Sequence, residues 1–290
     1  MRAVSMPAPL DNPTTRAKAG LGERLFNDEA LSGSGRVSCA SCHDPERAFA
    51  GTRRRSVGIN GRLTHRNTPS LLDVGLFPNL TWDGGISGLE EQARNPLVGH
   101  GEMGASLVRI AGRLSGDASY ASAFERAFGD RRIDADRIVK ALASYQRTLR
   151  SPVTRFDERY DIGLSSVANS ELGPGWRVFE RHCLRCHEYS AGNRLFTDFG
   201  YRHTGVESAD LGRFYVTQDP ADRRRFRTPS LRNVSRTAPY MHDGSIDTLS
   251  EVIDHYRRRS RQAGVPDLNT AIVTISAQDE RHLLAFLNAI

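Results

Sequence analysis

All four cysteines of this 290-residue chain stand in two pentapeptides of one form, Cys39-Ala40-Ser41-Cys42-His43 and Cys183-Leu184-Arg185-Cys186-His187. None is left for a disulfide. Two thiols three residues apart reach both vinyl groups of a heme while the next residue places its imidazole on the iron, which is the attachment pattern of c-type heme. A zinc site built from both Cys-x-x-Cys pairs and a redox dithiol are the rival readings, but neither requires a histidine directly after each second cysteine. The motifs predict two covalently bound hemes, one on Cys39, Cys42 and His43 and one on Cys183, Cys186 and His187.

The chain also contains an internal repeat. The segment from Thr68, TPSLLDVGLFPNLTWDGGISGLEEQ, aligns without a gap to the segment from Thr228, TPSLRNVSRTAPYMHDGSIDTLSEV, at an offset of 160 residues. A second match, GLGERLF from Gly20 and GPGWRVF from Gly173, precedes each heme motif. Each half therefore reads helix, heme motif, loop, TPSL, DG turn, helix. Leu249, Val252, Ile253 and Tyr256 follow helical spacing, and residues 133–149 form an amphipathic stretch. Strand signals are few, and the Gly- and Ser-rich residues 160–174 read as the crossing between halves. The expected fold is mainly α, with two cytochrome c-like heme domains related by the pseudo-repeat, residues 1–163 and 164–290. Repeat equivalence pairs Pro96 with Tyr256. Proline cannot ligate iron and a tyrosine phenolate can, so the first heme is expected open and the second closed.

The formal charge of +6 is carried almost wholly by arginine, since Lys18 and Lys140 are the only lysines. Runs of three arginines at 53–55, 223–225 and 257–259 read as solvated surface, with docking to an acidic protein as the alternative. No aromatic residues interleave with them, which argues against nucleic acid. No apolar run is long enough for a membrane span. The first residues, MRAVSMPAPLDNPTT, lack the apolar region of a secretory signal. Covalent c-type heme nevertheless needs export-side maturation, so a removed leader and a periplasmic location are expected.

With both heme motifs, the repeat and the turns Trp82-Asp83-Gly84 and His242-Asp243-Gly244 in view, the chain resembles the bacterial diheme cytochrome c peroxidase and MauG family over nearly its whole length. It looks closest to the MauG-like, tyrosine-ligated branch, which includes methanobactin-linked enzymes. The resemblance implies an active-site heme in the first half and an electron-transfer heme in the second. It implies a bridging tryptophan at Trp82, and distal residues Gln92, Pro96 and Glu102 around the active heme. It also implies one calcium ion, held by the Asn67 side chain and the backbone carbonyls of Thr237 and Pro239.

Two departures separate the chain from the peroxidase branch. Peroxidases often carry a capping histidine where Ile59 stands, so no switchable cap is expected. They also place a methionine ligand where Tyr256 stands, whereas MauG-type enzymes have tyrosine. A thioether stabilises ferrous iron and suits an electron donor, while an anionic phenolate stabilises oxidised iron. The resemblance thus implies an enzyme that binds hydrogen peroxide at the first heme, with Glu102 moving its proton and Gln92 orienting it. A bis-Fe(IV) state shared through Trp82 would then oxidise an aromatic residue, tryptophan first, of a periplasmic partner protein.

The alternative is a diheme peroxidase that reduces hydrogen peroxide to water with electrons from a small redox protein. A non-catalytic electron carrier predicts two closed hemes without a distal acid, against Pro96 and Glu102. On helical pattern alone Tyr256 is core. Met241 is the rival ligand, His65 reads as a surface residue beside Arg66, and Trp176 reads as helix packing. MauG has a further tryptophan on the path to its substrate; Arg181 falls near that place here, so the exit route is left open.

Overall fold

The residues before the first heme motif fold as α1 (Arg16–Asn27), opened by the Thr15 hydroxyl, which accepts the Lys18 N–H. A computed structural model describes residues 6–259, 267 and 275–290. Its chain clusters into one unit of Met1–Leu80 with Ile86–Arg150, and another of Thr81–Gly85 with Ser151–Ile290.

The first unit continues with α2 (Leu89–Val98), α3 (Leu107–Ser115), α4 (Ala118–Phe128) and α5 (Ala135–Gln146). The amphipathic stretch expected at 133–149 is α5, capped by the Asp134 carboxylate on the Arg137 N–H at 2.9 Å. Leu21, Leu25 and Phe26 of α1 share a core with Ile138, Ala141 and Leu142 of α5. The two helices approach so closely at Gly22 that a Cβ there would lie 2.0 Å from the Ala141 carbonyl oxygen.

The second unit holds α6 (Arg155–Ile162), α7 (Leu164–Ala168), α8 (Gly173–His182), β1 (Tyr201–His203), α9 (Phe214–Thr217), β2 (Arg225–Arg227), α10 (Leu249–Arg259) and α11 (Ala277–Leu287). α8 and α11 repeat the crossing of the first unit, with Gly175 in the place of Gly22. A Cβ on Gly175 would lie 2.2 Å from the His282 carbonyl oxygen. The Gly- and Ser-rich stretch 160–174 is largely helical. Its glycines serve tight joints: Gly163, at φ 138°, separates α6 from α7, and Gly173 abuts the Ala168 carbonyl.

The 160-residue offset holds residue for residue through the repeated segment. Asp73 and Asn233 both adopt left-handed backbone, at φ 57° and 56°. Their N–H groups donate to Leu149 O at 2.8 Å and Ile290 O at 2.9 Å, each carbonyl lying just after that unit's closing helix. Isolated bridges join Leu80 to Ile86 and Tyr240 to Ile246, and α2 and α10 start 160 residues apart. The sole strand pair among the described residues is antiparallel, with Tyr201 opposite Arg227. No helix among them is long and apolar enough to cross a membrane.

Candidate functional site

Each heme motif folds as a single helical turn. The His43 and His187 N–H groups donate to the carbonyls of Cys39 and Cys183, both at 2.9 Å, so the two turns have one geometry. Nδ1 of His43 lies 2.9 Å from Phe49 O, and Nδ1 of His187 lies 3.0 Å from Phe196 O. A carbonyl can only accept, so Nδ1 carries the proton and the Nε2 lone pair is left to ligate. Burial lowers both imidazole pKa values and so favours the neutral ligand form. Phe49 and Phe196 aim these carbonyls from left-handed backbone, at φ 57° and 56°. That conformation is costly for a bulky side chain and is typically retained where function requires it.

The donor set fits c-type heme better than its rivals. Burial pushes the Cys39 and Cys183 thiols up to about 12, the reverse of the lowered pKa that activates a redox dithiol. Each cysteine pair stands in its own unit beside its own histidine, and among the described residues no three His, Cys, Asp or Glu side chains converge as a metal-ion site. Gln92 Oε1 is buried without a protein partner, a place where a bound group can supply the missing hydrogen bond.

In the first unit, α2 carries Gln92 and Pro96. Proline inside a helix forfeits a hydrogen bond and commonly costs about 3 kcal/mol or more, so its place there calls for a compensating gain. The loop after α2 folds back on it, with Met103 N–H on Pro96 O at 3.1 Å and Ala105 N–H on Leu97 O at 2.8 Å. That return brings Glu102 beside the heme motif, where its charge is felt at both Cys39 and Cys42. Burial raises the Glu102 pKa, opposed in part by His65. Ile59 is tied to the same loop: its N–H donates to Glu102 O at 2.8 Å, and its side chain fills the space beside Gly104. His65 is exposed.

In the second unit, α10 carries Tyr256 beside the second motif. Burial raises its phenol pKa first, and the charges of Cys186 and Cys183 add to that rise. The segment Thr81–Gly85 packs here as well. Trp82 O accepts the Arg227 N–H at 2.7 Å, Asp83 O accepts from Arg213 Nη1 at 3.0 Å, and the Tyr201 ring lies against Gly84. His242, the repeat equivalent of Trp82, is buried and stacks on Phe226 with centroids 3.7 Å apart. Met241 precedes it at φ 72°, and Trp176 is buried in the aromatic core.

Asn67 is buried in the first unit, with its amide nitrogen donating to Arg53 O at 3.3 Å and Arg54 O at 3.4 Å. Thr237 and Pro239 belong to the second unit. Two contributors escaped the sequence: Phe49 and Phe196, whose carbonyls face the two histidine rings. The two phenylalanines follow their histidines by six and nine residues, so no shared spacing pointed to them.

The family model of di-haem cytochrome c peroxidase matches residues 16–162. The methylamine utilization protein MauG of Methylophilus methylotrophus is 37% identical over 295 aligned residues, covering 100% of this chain and 87% of that protein. A cytochrome-c peroxidase of Pseudomonas sp. strain SCT is 31% identical, covering 98% of this chain and 83% of that one. Among solved structures, a MauG-like protein associated with microbial copper homeostasis is similar with a TM-score of 0.87 and 34% identity, covering 99% of this chain and 93% of that one. Family membership implies two hemes, and both attachment turns needed to hold them are present. With similarity running from end to end, this chain belongs to the di-haem cytochrome c peroxidase and MauG family of oxidoreductases.

Proposed function

We propose that this diheme enzyme uses hydrogen peroxide to oxidise aromatic residues, tryptophan first, of a periplasmic partner protein. The observation that carries the reading is Tyr256, whose phenol lies within electrostatic reach of Cys186 and Cys183 where the peroxidase branch has methionine. Burial alone keeps a phenol protonated, and only a cation beside it makes the phenolate stable. A heme iron bound at His187 would supply such a cation.

The hemes, when bound, supply reduction of peroxide and two places to hold oxidising equivalents. The chain supplies the rest. Glu102, with its raised pKa, takes the proton from the near peroxide oxygen and returns it to the far one. Gln92 Oε1 accepts a hydrogen bond from the peroxide hydroxyl, and Pro96 keeps that face free of a competing ligand. Ile59, tied to the Glu102 loop, has no donor atom with which to cap an iron. Trp82 serves as the relay between the two hemes. One calcium ion belongs to the same reading, with the buried Asn67 side chain as an oxygen ligand.

The family also contains peroxidases fed by small redox proteins, and one comparison separates the two activities. Turnover of peroxide with reduced cytochrome c is measured beside mass shifts in co-expressed candidate partners. Partner oxidation with slow cytochrome turnover supports the reading. Rapid cytochrome turnover with unmodified partners replaces it with peroxide reduction to water.

A further inference from the structure

The second unit contains a file of rings leading outward from His187. Phe196, whose carbonyl holds His187 Nδ1 at 3.0 Å, packs on Tyr189 with centroids 4.3 Å apart. Tyr189 in turn meets Tyr160 edge-on at 4.8 Å. Tyr189 is 6% exposed while Tyr160 is only half-buried, so the file runs from the site to the surface. The Tyr189 hydroxyl donates to Asp157 Oδ1 at 2.9 Å, inside the fold. Asp157 also receives Arg232 Nη1 at 2.6 Å and Nη2 at 2.7 Å.

This chemistry differs from that of the surrounding rings. Phe156, Phe179 and Phe286 have no ionisable proton, and Trp176 is 5% exposed and stays within the core. A phenol gives up an electron readily only if its proton has somewhere to go, and the Tyr189 hydroxyl has a carboxylate oxygen at hydrogen-bond distance.

We propose that Tyr189 and Tyr160 form the electron route between the surface and the second heme site, and that the partner residue is oxidised against the Tyr160 face. The inference rests on the proposed function and supplies its exit. Tyr189 passes one electron inward and its phenolic proton to Asp157 Oδ1. Tyr160 then reduces the Tyr189 radical, Asp157 returns the proton, and the Tyr160 proton leaves to water. The partner's indole finally gives one electron to the Tyr160 radical, which regains a proton from water, while the indole radical cation loses its own. The net change is one electron moved from the partner to the enzyme.

The test uses the heme-loaded enzyme without partner, treated with peroxide and a nitroso spin trap, with trapped sites located by peptide mass spectrometry and heme absorbance recorded in parallel. Wild type is expected to carry the adduct on Tyr160. Tyr189→Phe should lower the Tyr160 adduct several-fold with the heme response to peroxide retained, and Tyr160→Phe should move the adduct to Tyr189. An unchanged Tyr160 adduct in Tyr189→Phe, or adducts confined to Trp82 or Trp176 in wild type, overturns the route while the proposed function stands. Hemes unresponsive to peroxide overturn both.

Discussion

At Gly22 and Ala141, α1 and α5 meet without room for a side chain, and a Cβ on the glycine would have to occupy the space of the alanine carbonyl. Overpacking of that kind typically costs about 1–3 kcal/mol, so Gly22→Ala is expected to destabilise by that order. Gly20 sits two residues earlier in the same helix with nothing within 4 Å of its missing Cβ. There alanine should stabilise by roughly 0.5–1 kcal/mol, because only the entropy of the unfolded chain changes. Guanidinium unfolding of the heme-loaded protein measures both. Equal shifts of one sign would contradict the close crossing.

The phenol of Tyr256 can be tested at the iron itself. Ferric EPR of the wild type is expected to show one high-spin and one low-spin heme, and Tyr256→Phe should alter the low-spin signal while leaving the high-spin signal intact. Tyr256→Met should restore a low-spin heme with a higher reduction potential, since a thioether favours ferrous iron. A low-spin signal identical in Tyr256→Phe and wild type would remove tyrosine from the coordination shell.

Glu102 should set the acid limb of peroxide consumption. Its carboxyl must be ionised to accept a proton, and burial has raised its pKa, so the rate should fall as pH drops through a value above the ordinary carboxylate range. Glu102→Gln is expected to lower the peroxide reaction about 10²–10⁴-fold and to abolish that limb. Stopped-flow absorbance across pH measures both effects. An acid limb unchanged in the glutamine variant would assign the titration to another group.

The ungapped repeat made much of this architecture legible, because one local sequence builds one local structure twice. Asp73 and Asn233, the Leu80–Ile86 and Tyr240–Ile246 bridges, and the starts of α2 and α10 all fall 160 residues apart. The Cys-x-x-Cys-His motifs were legible for the same reason, since attachment chemistry fixes their spacing. Tertiary choices were not. Nothing in the string around Trp82 tells that Thr81–Gly85 leaves its neighbours to pack with the second unit. The carbonyls of Phe49 and Phe196 act through backbone, so residue type carries no sign of them. Asp157 and Arg232 meet across 75 residues, and a charge pair at that separation leaves no local pattern.

That pair yields the last prediction, in acid. Burial alone would raise the Asp157 pKa, but the Arg232 guanidinium and the Thr154 bonds outweigh it and hold the carboxyl at about 2 against an ordinary 3.8. A depressed carboxylate contributes stability that is present above its unfolded pKa and lost as pH falls through its folded one. The gain is roughly 2 kcal/mol, fading between about pH 4 and pH 2. Arg232→Gln leaves a fully buried carboxylate without its counter-charge and should cost about 3–5 kcal/mol at neutral pH. The sign then reverses. With Arg232 gone, burial governs, the Asp157 pKa rises, and protonation relieves the buried charge, so the variant's deficit should shrink on acidification where the wild type weakens. Urea unfolding of both proteins at about pH 7 and about pH 3 measures this, and a deficit that stays constant or grows in acid would show that Asp157 is not the group that Arg232 holds ionised.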